Sequence, residues 1–522
     1  MMSAWQVTAD GDPQDVLEPS EVARRELPPA PKPRSPILHP SSPVPLAEIG
    51  AWHDEADVLI VGYGGAGACA AIESAAAGAD TLVLERASGG GGTTAMAAGH
   101  IYLGGGTRVQ KACGYEDSAE NLLRYLEASA DDSDPEKFRL YAEGSVAHFE
   151  WLVSLGVPFN DSIHEARTNM QQTDECLIWS GNEKAWPFCE LATPAPRGHK
   201  VAREGEAGPL LFAKLHESAL AAGARIQNDT RVLTLVIDEK GGVAGLVARQ
   251  DGEDRAFRAR RGVILCAGGY AMDEAMFRRH IPRLAGRVMA IGNPYDDGAG
   301  LRMGLAARGA GIHLADYHIT LPFYPPASLT FGIFVNAQGQ RFVAEDAYHG
   351  RIGELASRQP EGRVYLIVDE PSYGRPEIDG FELAATEESI ADLERALDLP
   401  EFGLQQTVDY YNRHAERGQD PLLRKQPHWL RPIKDAPFAA LECSLGKAPY
   451  MAFSLGGLWT KPSGEVLTED GEVVEGLYAA GRNSCGIARS AEGYASGTCI
   501  GDATFFGRLA GRAAASRSAR SE

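Results

Sequence analysis

The chain has 522 residues, 44% hydrophobic, 23% charged and 8% aromatic, which is enough apolar material for two or three domains with cores of their own. Lys and Arg total 50 against 71 Asp and Glu, and the formal charge of -21 repels phosphate backbones, which excludes a nucleic-acid partner from the expectations. The cysteines (Cys69, Cys113, Cys176, Cys189, Cys266, Cys443, Cys485, Cys499) are scattered, with no C-x-x-C pair and no His set at zinc spacing, so neither a metal site nor a disulfide framework is expected, in keeping with a reducing, cytoplasmic setting.

Residues 1 to about 50 carry Pro28, Pro29, Pro31, Pro33, Pro36, Pro40, Pro43 and Pro45 with few apolar neighbours. Such a segment cannot pack a core and reads as a leader, in part polyproline II. Arg24-Arg25 is followed by proline-rich polar sequence rather than an export signal, and no apolar run nears the roughly 20 residues that span a bilayer. Beyond it, glycine is abundant, 59 residues against a usual share of about 7%, and it comes in clusters. Clustered glycine marks places where backbone approaches something closely.

Order is expected from Ala56. Asp57 to Val61 reads as a buried strand, the small residues from Ala66 to Ala77 as a helix pressed against a sheet, and Asp80 to Glu85 as a second strand. At the turn between strand and helix stands Gly62-Tyr63-Gly64-Gly65-Ala66-Gly67, a G-x-G-x-x-G. In that place Gly62 permits the tight turn, Gly64 lets the backbone approach a pyrophosphate, and Gly67 allows helix and strand to pack closely, with the helix N-terminus facing the phosphates. Glu85 ends the second strand, where a carboxylate can accept from ribose hydroxyls. Fingerprint, strands and acidic end in register point to a dinucleotide. Gly89 to Thr94 then offers backbone N–H groups and hydroxyls for a second approach to the ligand, a loop that NAD domains ordinarily lack.

Farther along, Pro135 sits just inside a helix start, with Phe138, Tyr141, Val146, Phe149 and Leu152 as its apolar stripe. Strands are expected at 232–237, 263–267 and 363–368, and helices at 390–397 and about 501–516. Between about 311 and 440 the pattern turns to mixed α+β, as of a domain inserted into the first fold, and it then returns to a glycine-rich run through Gly476 to Gly481. No second glycine fingerprint follows a mid-chain strand, so electrons would pass to an external partner.

The sequence resembles the FAD-binding family that includes the fumarate reductase and succinate dehydrogenase flavoproteins and the 3-ketosteroid dehydrogenases. The resemblance covers about 56–515. It is carried by the first fingerprint with Glu85, Gly92-Thr93-Thr94 with Ala98-Gly99, Leu265-Cys266-Ala267-Gly268-Gly269, and Gly476-Leu477-Tyr478-Ala479-Ala480-Gly481. It implies an α/β fold: a Rossmann-like (GR2-type) FAD-binding domain, about 51–310 and 441–522, with an inserted α+β catalytic domain, about 311–440. Besides Gly62, Gly64, Gly65, Ala66, Gly67 and Glu85, it implies cofactor contacts at Arg86, Gly92, Thr93, Thr94, Ala98, Gly99, Val232, Ala267, Gly268, Asp297, Gly481, Arg482, Gly497, Thr498, Cys499 and Ile500. Succinate dehydrogenases link flavin to a His where this chain has Thr93, so the FAD is expected to be non-covalent.

Fumarate-type members carry N-R-L-G-G-N, whose Arg clamps a substrate carboxylate, and a His before a Gly-Gly pair. Here the corresponding stretches are Gly493-Tyr494-Ala495-Ser496-Gly497-Thr498 and Phe453-Ser454-Leu455-Gly456-Gly457. A dicarboxylate would lose its ion pairs at such a site, so a neutral, largely apolar substrate is expected. Tyr494 to Thr498 with Ile500 to Arg508, and Ala98 to Thr107, look nearest to the 3-ketosteroid Δ4-(5α)-dehydrogenases.

That likeness implies three catalytic residues: Tyr494 at the 3-oxo group, and Ser496 coupled to Tyr348 for the C4 proton, with hydride leaving C5 for flavin N5. Which hydroxyl is the immediate proton acceptor is left open. The implied partners are a 3-ketosteroid and an external acceptor such as a quinone. The alternatives are a Δ1-dehydrogenase, an ene reductase for a conjugated acid, and a non-catalytic flavin electron carrier. Of the remaining candidates, Tyr102 and the run Phe323-Tyr324-Pro325-Pro326 read either as cavity wall or as packing, His100, His349 and His428 as surface or loop histidines, and Asp502 as the cap of the last helix.

Overall fold

The computed structural model describes residues 42–130, 132 and 134–520, and separately the backbone of two short antiparallel strands, Ala4–Val7 and Leu17–Ser20. The stretch Pro28 to Pro40, with its polyproline II expectation, lies outside the described residues.

A nine-stranded sheet organises the chain from residue 42 onward. Its centre is the pair expected from the sequence. Asp54–Val61 runs parallel to Thr81–Leu84 on one side and to the long strand Glu253–Leu265 on the other. The first half of Glu253–Leu265 continues into an antiparallel meander with Val243–Gln250 and Thr230–Ile237, while its last residues pair in parallel with Val473–Ala479. Val44–Pro45 adds an edge to Thr230–Ile237, so the ordered fold reaches back past the expected boundary at residue 51.

Both faces of the central strand are covered. Leu59 and Val61 enter one apolar cluster and Val58 and Ile60 the other, the two-residue alternation of a strand with cores above and below. Each such fully buried aliphatic side chain contributes ~1.5–3 kcal/mol. On one face lie the helices Gly65–Ala76 and Thr498–Ser516, tied together by Glu73, which pairs with Arg508 at 2.8 Å and Arg512 at 2.6 Å. Helix Pro135–Ser154 begins as the sequence predicts, Asp134 capping the Lys137 N–H at 3.1 Å, and buries Phe138, Tyr141, Phe149 and Leu152.

The middle of the chain builds a second sheet, Ile333–Asn336, Val364–Val368, Phe438–Glu442 and Leu383–Glu387 in that order. One of its faces continues the main core through Phe334, Leu366 and Leu441, and the other packs on helices Ile390–Ala396 and Gly403–Ala415. The expected edge at residue 440 falls inside the strand Phe438–Glu442. Gly311–Ile312 and Tyr317–Thr320 pair instead with Gly457–Leu458 and Met451–Ser454, so two antiparallel crossings join this unit to the main fold.

The last helix starts at Thr498, three residues before the sequence places it. Asp502 is therefore not a cap. It lies inside the helix, buried, its carboxylate accepting from the Ile487 N–H at 2.8 Å, and burial pushes its pKa up to about 6.

Candidate active site

A cavity of about 660 Å³ runs without interruption from the glycine fingerprint to Tyr348, Tyr494 and Ser496. Its two ends differ in chemistry.

At the first end the wall is backbone. Helix Gly65–Ala76 and helix Thr498–Ser516 both begin at this cavity behind glycines, Gly64 and Gly497, that have no side chain to cap them, which leaves N–H groups of their first turns for anionic or carbonyl oxygens of a ligand. Thr94 Oγ1 accepts from the Gly65 N–H at 3.1 Å and the Tyr63 carbonyl from the Gly91 N–H at 2.7 Å, so the two glycine loops brace each other. Glu85 accepts from the N–H groups of Tyr63 and Ala87, both at 2.8 Å, and lines the cavity at the end of its strand. Arg86 pairs with Asp297 at 2.7 Å and lies over Tyr295. These are the parts a dinucleotide needs: dipole ends for a pyrophosphate and a carboxylate near a ribose.

Gly62, Gly64, Gly65, Ala66, Glu85, Arg86, Gly92, Thr93, Thr94, Ala98, Gly99, Val232, Ala267, Gly268, Asp297, Gly481, Arg482, Gly497, Cys499 and Ile500 all line the cavity. Two expected contacts do not. Gly67 stands behind the wall, where a Cβ would lie 2.1 Å from the Gly62 carbonyl oxygen, so its role is packing. Thr498 is turned inward, its hydroxyl donating to the Ala495 carbonyl at 2.8 Å. Gly67→Ala is accordingly expected to separate strand from helix and give protein purified without bound flavin, read from the ratio of visible to protein absorbance.

At the other end the wall is aromatic and hydroxylic. Tyr348 immediately precedes helix His349–Ser357, and Ser496 lies in the turn before Thr498–Ser516; their side-chain oxygens are 2.8 Å apart. Tyr348 and Tyr494 pack with Leu455 and Ala488, and Phe453 lies against them. Burial raises the pKa of both phenols above the usual value, so both keep their protons and serve as donors. The guanidinium groups in the cavity wall are those of Arg86, Arg231 and Arg482. Arg482 is neutralised: it forms an ion pair with the buried Asp296, and its Nη2 also donates to Thr93 Oγ1 at 3.0 Å. Of the three guanidinium groups, those of Arg86 and Arg482 are held in ion pairs, with Asp297 and Asp296.

Several expectations change at this end. His349 is not a surface residue; it is buried, its Nδ1 2.5 Å from Thr320 Oγ1 and its ring 4.0 Å from that of Tyr348. His100 is buried too, in the cavity wall, while His428 is exposed. Tyr102 proves to be core, its hydroxyl donating to Glu183 at 3.0 Å. Phe323 to Pro326 form a junction rather than a wall: Phe323 packs on Phe334 while Pro322, just before the run, touches the cavity.

Two residues escape the sequence reading altogether. Asp296 sits beside the expected Asp297 but faces Arg482 across 186 positions, a pairing that no local pattern announces. The His318 ring lies tilted against that of Tyr494, centroids 4.2 Å apart, and against that of Phe453 at 4.9 Å, and its Nδ1 is buried without a partner. Burial lowers the His318 pKa to about 3, so the unfolded chain takes up a proton near the ordinary value of 6.5 that the folded chain refuses. Stability is then lost as pH falls below that value. Between about pH 7 and about pH 4.5 the protein should lose up to ~1.4 kcal/mol per pH unit more than His318→Phe, measured by denaturant midpoints.

The family model described as FAD binding domain matches residues 57–498. The chain is similar to the crystal structure of 3-ketosteroid Δ4-(5α)-dehydrogenase from Rhodococcus jostii RHA1 in complex with 4-androstene-3,17-dione, at 42% identity and a TM-score of 0.86, covering 91% of this chain and 100% of that one. The 3-oxo-5-alpha-steroid 4-dehydrogenase of Comamonas testosteroni is 28% identical over 500 residues, 82% of this chain and 93% of that protein. The 3-ketosteroid Δ1-dehydrogenase of Sterolibacterium denitrificans shares the fold at 18% identity and a TM-score of 0.67, covering 88% of this chain and 99% of that one.

Proposed function

This chain belongs to the FAD binding domain family, and we propose that within it the protein is a 3-oxo-5α-steroid 4-dehydrogenase, an FAD-dependent oxidoreductase that desaturates C4–C5 of a 3-ketosteroid. The observation that carries this reading is the hydroxyl pair Ser496–Tyr348 beside Tyr494, in an aromatic wall whose Arg482 is already ion-paired with Asp296. A ketone is the substrate such a wall accommodates, because a carboxylate held at the hydroxyls would meet an arginine that is already neutralised.

FAD, when bound, would supply a two-electron acceptor strong enough to take hydride from the carbon β to an activated ketone. The residues at Gly62 to Ala66 and Thr93 to Thr94 would hold its pyrophosphate end, and the start of helix Thr498–Ser516 its ring, without a covalent link, since Thr93 stands where a flavin-linking His would be. Tyr494 donates its phenolic hydrogen to the 3-oxo oxygen, stabilising the enolate charge that grows there and so acidifying C4. The Ser496–Tyr348 pair takes up the C4 proton as a relay: Ser496 Oγ receives it while the serine's own hydrogen passes to the Tyr348 oxygen and the phenolic hydrogen of Tyr348 passes to solvent water, because a serine alone is too weak a base near neutral pH. In this reading the inserted unit built on the sheet of Ile333–Asn336, Val364–Val368, Phe438–Glu442 and Leu383–Glu387 is the catalytic domain, and it carries Tyr348 to Ser496. Electrons leave to an external acceptor such as a quinone.

Anaerobic addition of a 5α-3-ketosteroid to the purified holoprotein is expected to bleach its visible flavin absorbance, and dicarboxylates such as succinate are expected to leave it unchanged. Indifference to ketosteroids, together with reoxidation of the chemically reduced protein by unsaturated acids, would instead assign an ene reductase.

Among the described residues no helix is long and apolar enough to cross a membrane.

A further inference from the structure

Ser496 and Tyr348 come from loops 148 positions apart, yet one three-residue segment touches the backbone of both. Ser180, Gly181 and Asn182 follow the short strand Leu177–Ile178. The Ser180 carbonyl accepts from the Ser496 N–H at 2.8 Å, and its Oγ donates to the Ser496 carbonyl at 3.0 Å. Gly181 is pressed against the next residue back: a Cβ there would lie 2.7 Å from the Ala495 Cβ and 2.7 Å from the Tyr125 hydroxyl. Asn182 completes the footing. Its Oδ1 accepts from the Tyr348 N–H at 3.0 Å, its Nδ2 donates to the Glu492 carbonyl at 3.1 Å, and its own N–H donates to the Tyr125 hydroxyl at 2.9 Å. The residue is 1% exposed and lies outside the cavity wall, so it meets neither substrate nor cofactor.

We infer that Asn182 is a positioning residue for the proton-accepting pair: with Ser180 it fixes the distance between Ser496 Oγ and Tyr348 Oη. The inference rests on the role given to that pair above. The primary amide is the group suited to the task, because one rigid plane offers an acceptor to the loop that carries Tyr348 and a donor to the loop that carries Tyr494 and Ser496. A carboxylate would keep the acceptor but set a second oxygen against the Glu492 carbonyl. An alanine would release both loops. Because Tyr348 begins a helix, loss of its backbone anchor shifts the phenol as a whole, and a displacement of about 1 Å at a reacting group costs up to ~10²-fold in rate.

The test uses the FAD-loaded protein and its Asn182→Asp, Asn182→Ala and Ser180→Ala variants, mixed anaerobically with a 5α-3-ketosteroid carrying deuterium at C4 or at C5. For the Asn182 variants, flavin reduction is expected to slow ~10- to 100-fold while the apparent ketone dissociation constant stays within about 3-fold and the C4 isotope effect grows. Ser180→Ala should move in the same direction by less. A residue that merely supported the fold would lower FAD content or ketone affinity and leave the C4 isotope effect alone. Variants that keep the wild-type rate and isotope effect overturn the inference, as do Asn182 variants that lose FAD alongside an unaltered Ser180→Ala. A wild-type protein not reduced by the steroid would instead overturn the reading of the site itself.

Discussion

Ser496→Ala is expected to slow ketosteroid-dependent flavin reduction by ~10²–10⁴-fold, the range associated with removing a positioned proton acceptor, while FAD content and ketone binding stay close to wild type. The side chain is small, stands in a turn held by backbone hydrogen bonds to Ser180, and contributes little packing of its own, so the truncation leaves the turn in place. What disappears is the oxygen 2.8 Å from Tyr348. The phenol cannot replace it, because burial raises its pKa and keeps it protonated. Stopped-flow reduction of the oxidised variant reads the effect directly. A loss of less than about threefold would show that the C4 proton leaves by another route.

Tyr494→Phe is the companion result, expected to cost ~10²–10³-fold as the loss of one donor to a developing oxyanion. The ring itself is fixed by His318 at 4.2 Å and Phe453 at 5.8 Å, contacts that a phenylalanine keeps. The variant therefore removes one O–H and little else. The ground-state carbonyl is less basic than the enolate, so the loss should fall mainly on the reduction rate and only weakly on affinity. The double variant Ser496→Ala/Tyr494→Phe should fall well short of the product of the two effects, because enolate stabilisation has no value once the proton has no acceptor.

The nucleotide half of the molecule could be read from local pattern. The run Asp57 to Val61, the fingerprint and Glu85 fall within one strand–helix–strand stretch, and physical rules for buried strands and close helix packing act on neighbours in sequence. The residues proposed as catalytic follow from the resemblance alone, and the structure shows which segments lie between them. Ser496 and Tyr348 meet because Ser180 and Asn182 anchor their loops, and a Ser-Gly-Asn tripeptide carries no periodic or motif signal. The sequence places the start of the last helix near residue 501 because Gly493 to Thr498 reads as a glycine turn; Gly497, at φ 99°, closes that turn, the helix begins at Thr498, and Asp502 lies in the buried interior rather than at the cap. The burial of His349 and His318 is not legible for a different reason: whether a single imidazole is buried depends on which distant elements close over it, here the strand Tyr317–Thr320 and the helix that begins at His349.

The most direct test is the position of the double bond formed when the oxidised holoprotein turns over a saturated 5α-3-ketosteroid with an artificial electron acceptor. Proton removal by Ser496 from the carbon beside a ketone held by Tyr494, with hydride loss from the ring-junction carbon, yields the 4-ene-3-one as sole product. A 1-ene product would contradict it, because it would place C1 and C2, rather than C4 and C5, between the serine and the flavin.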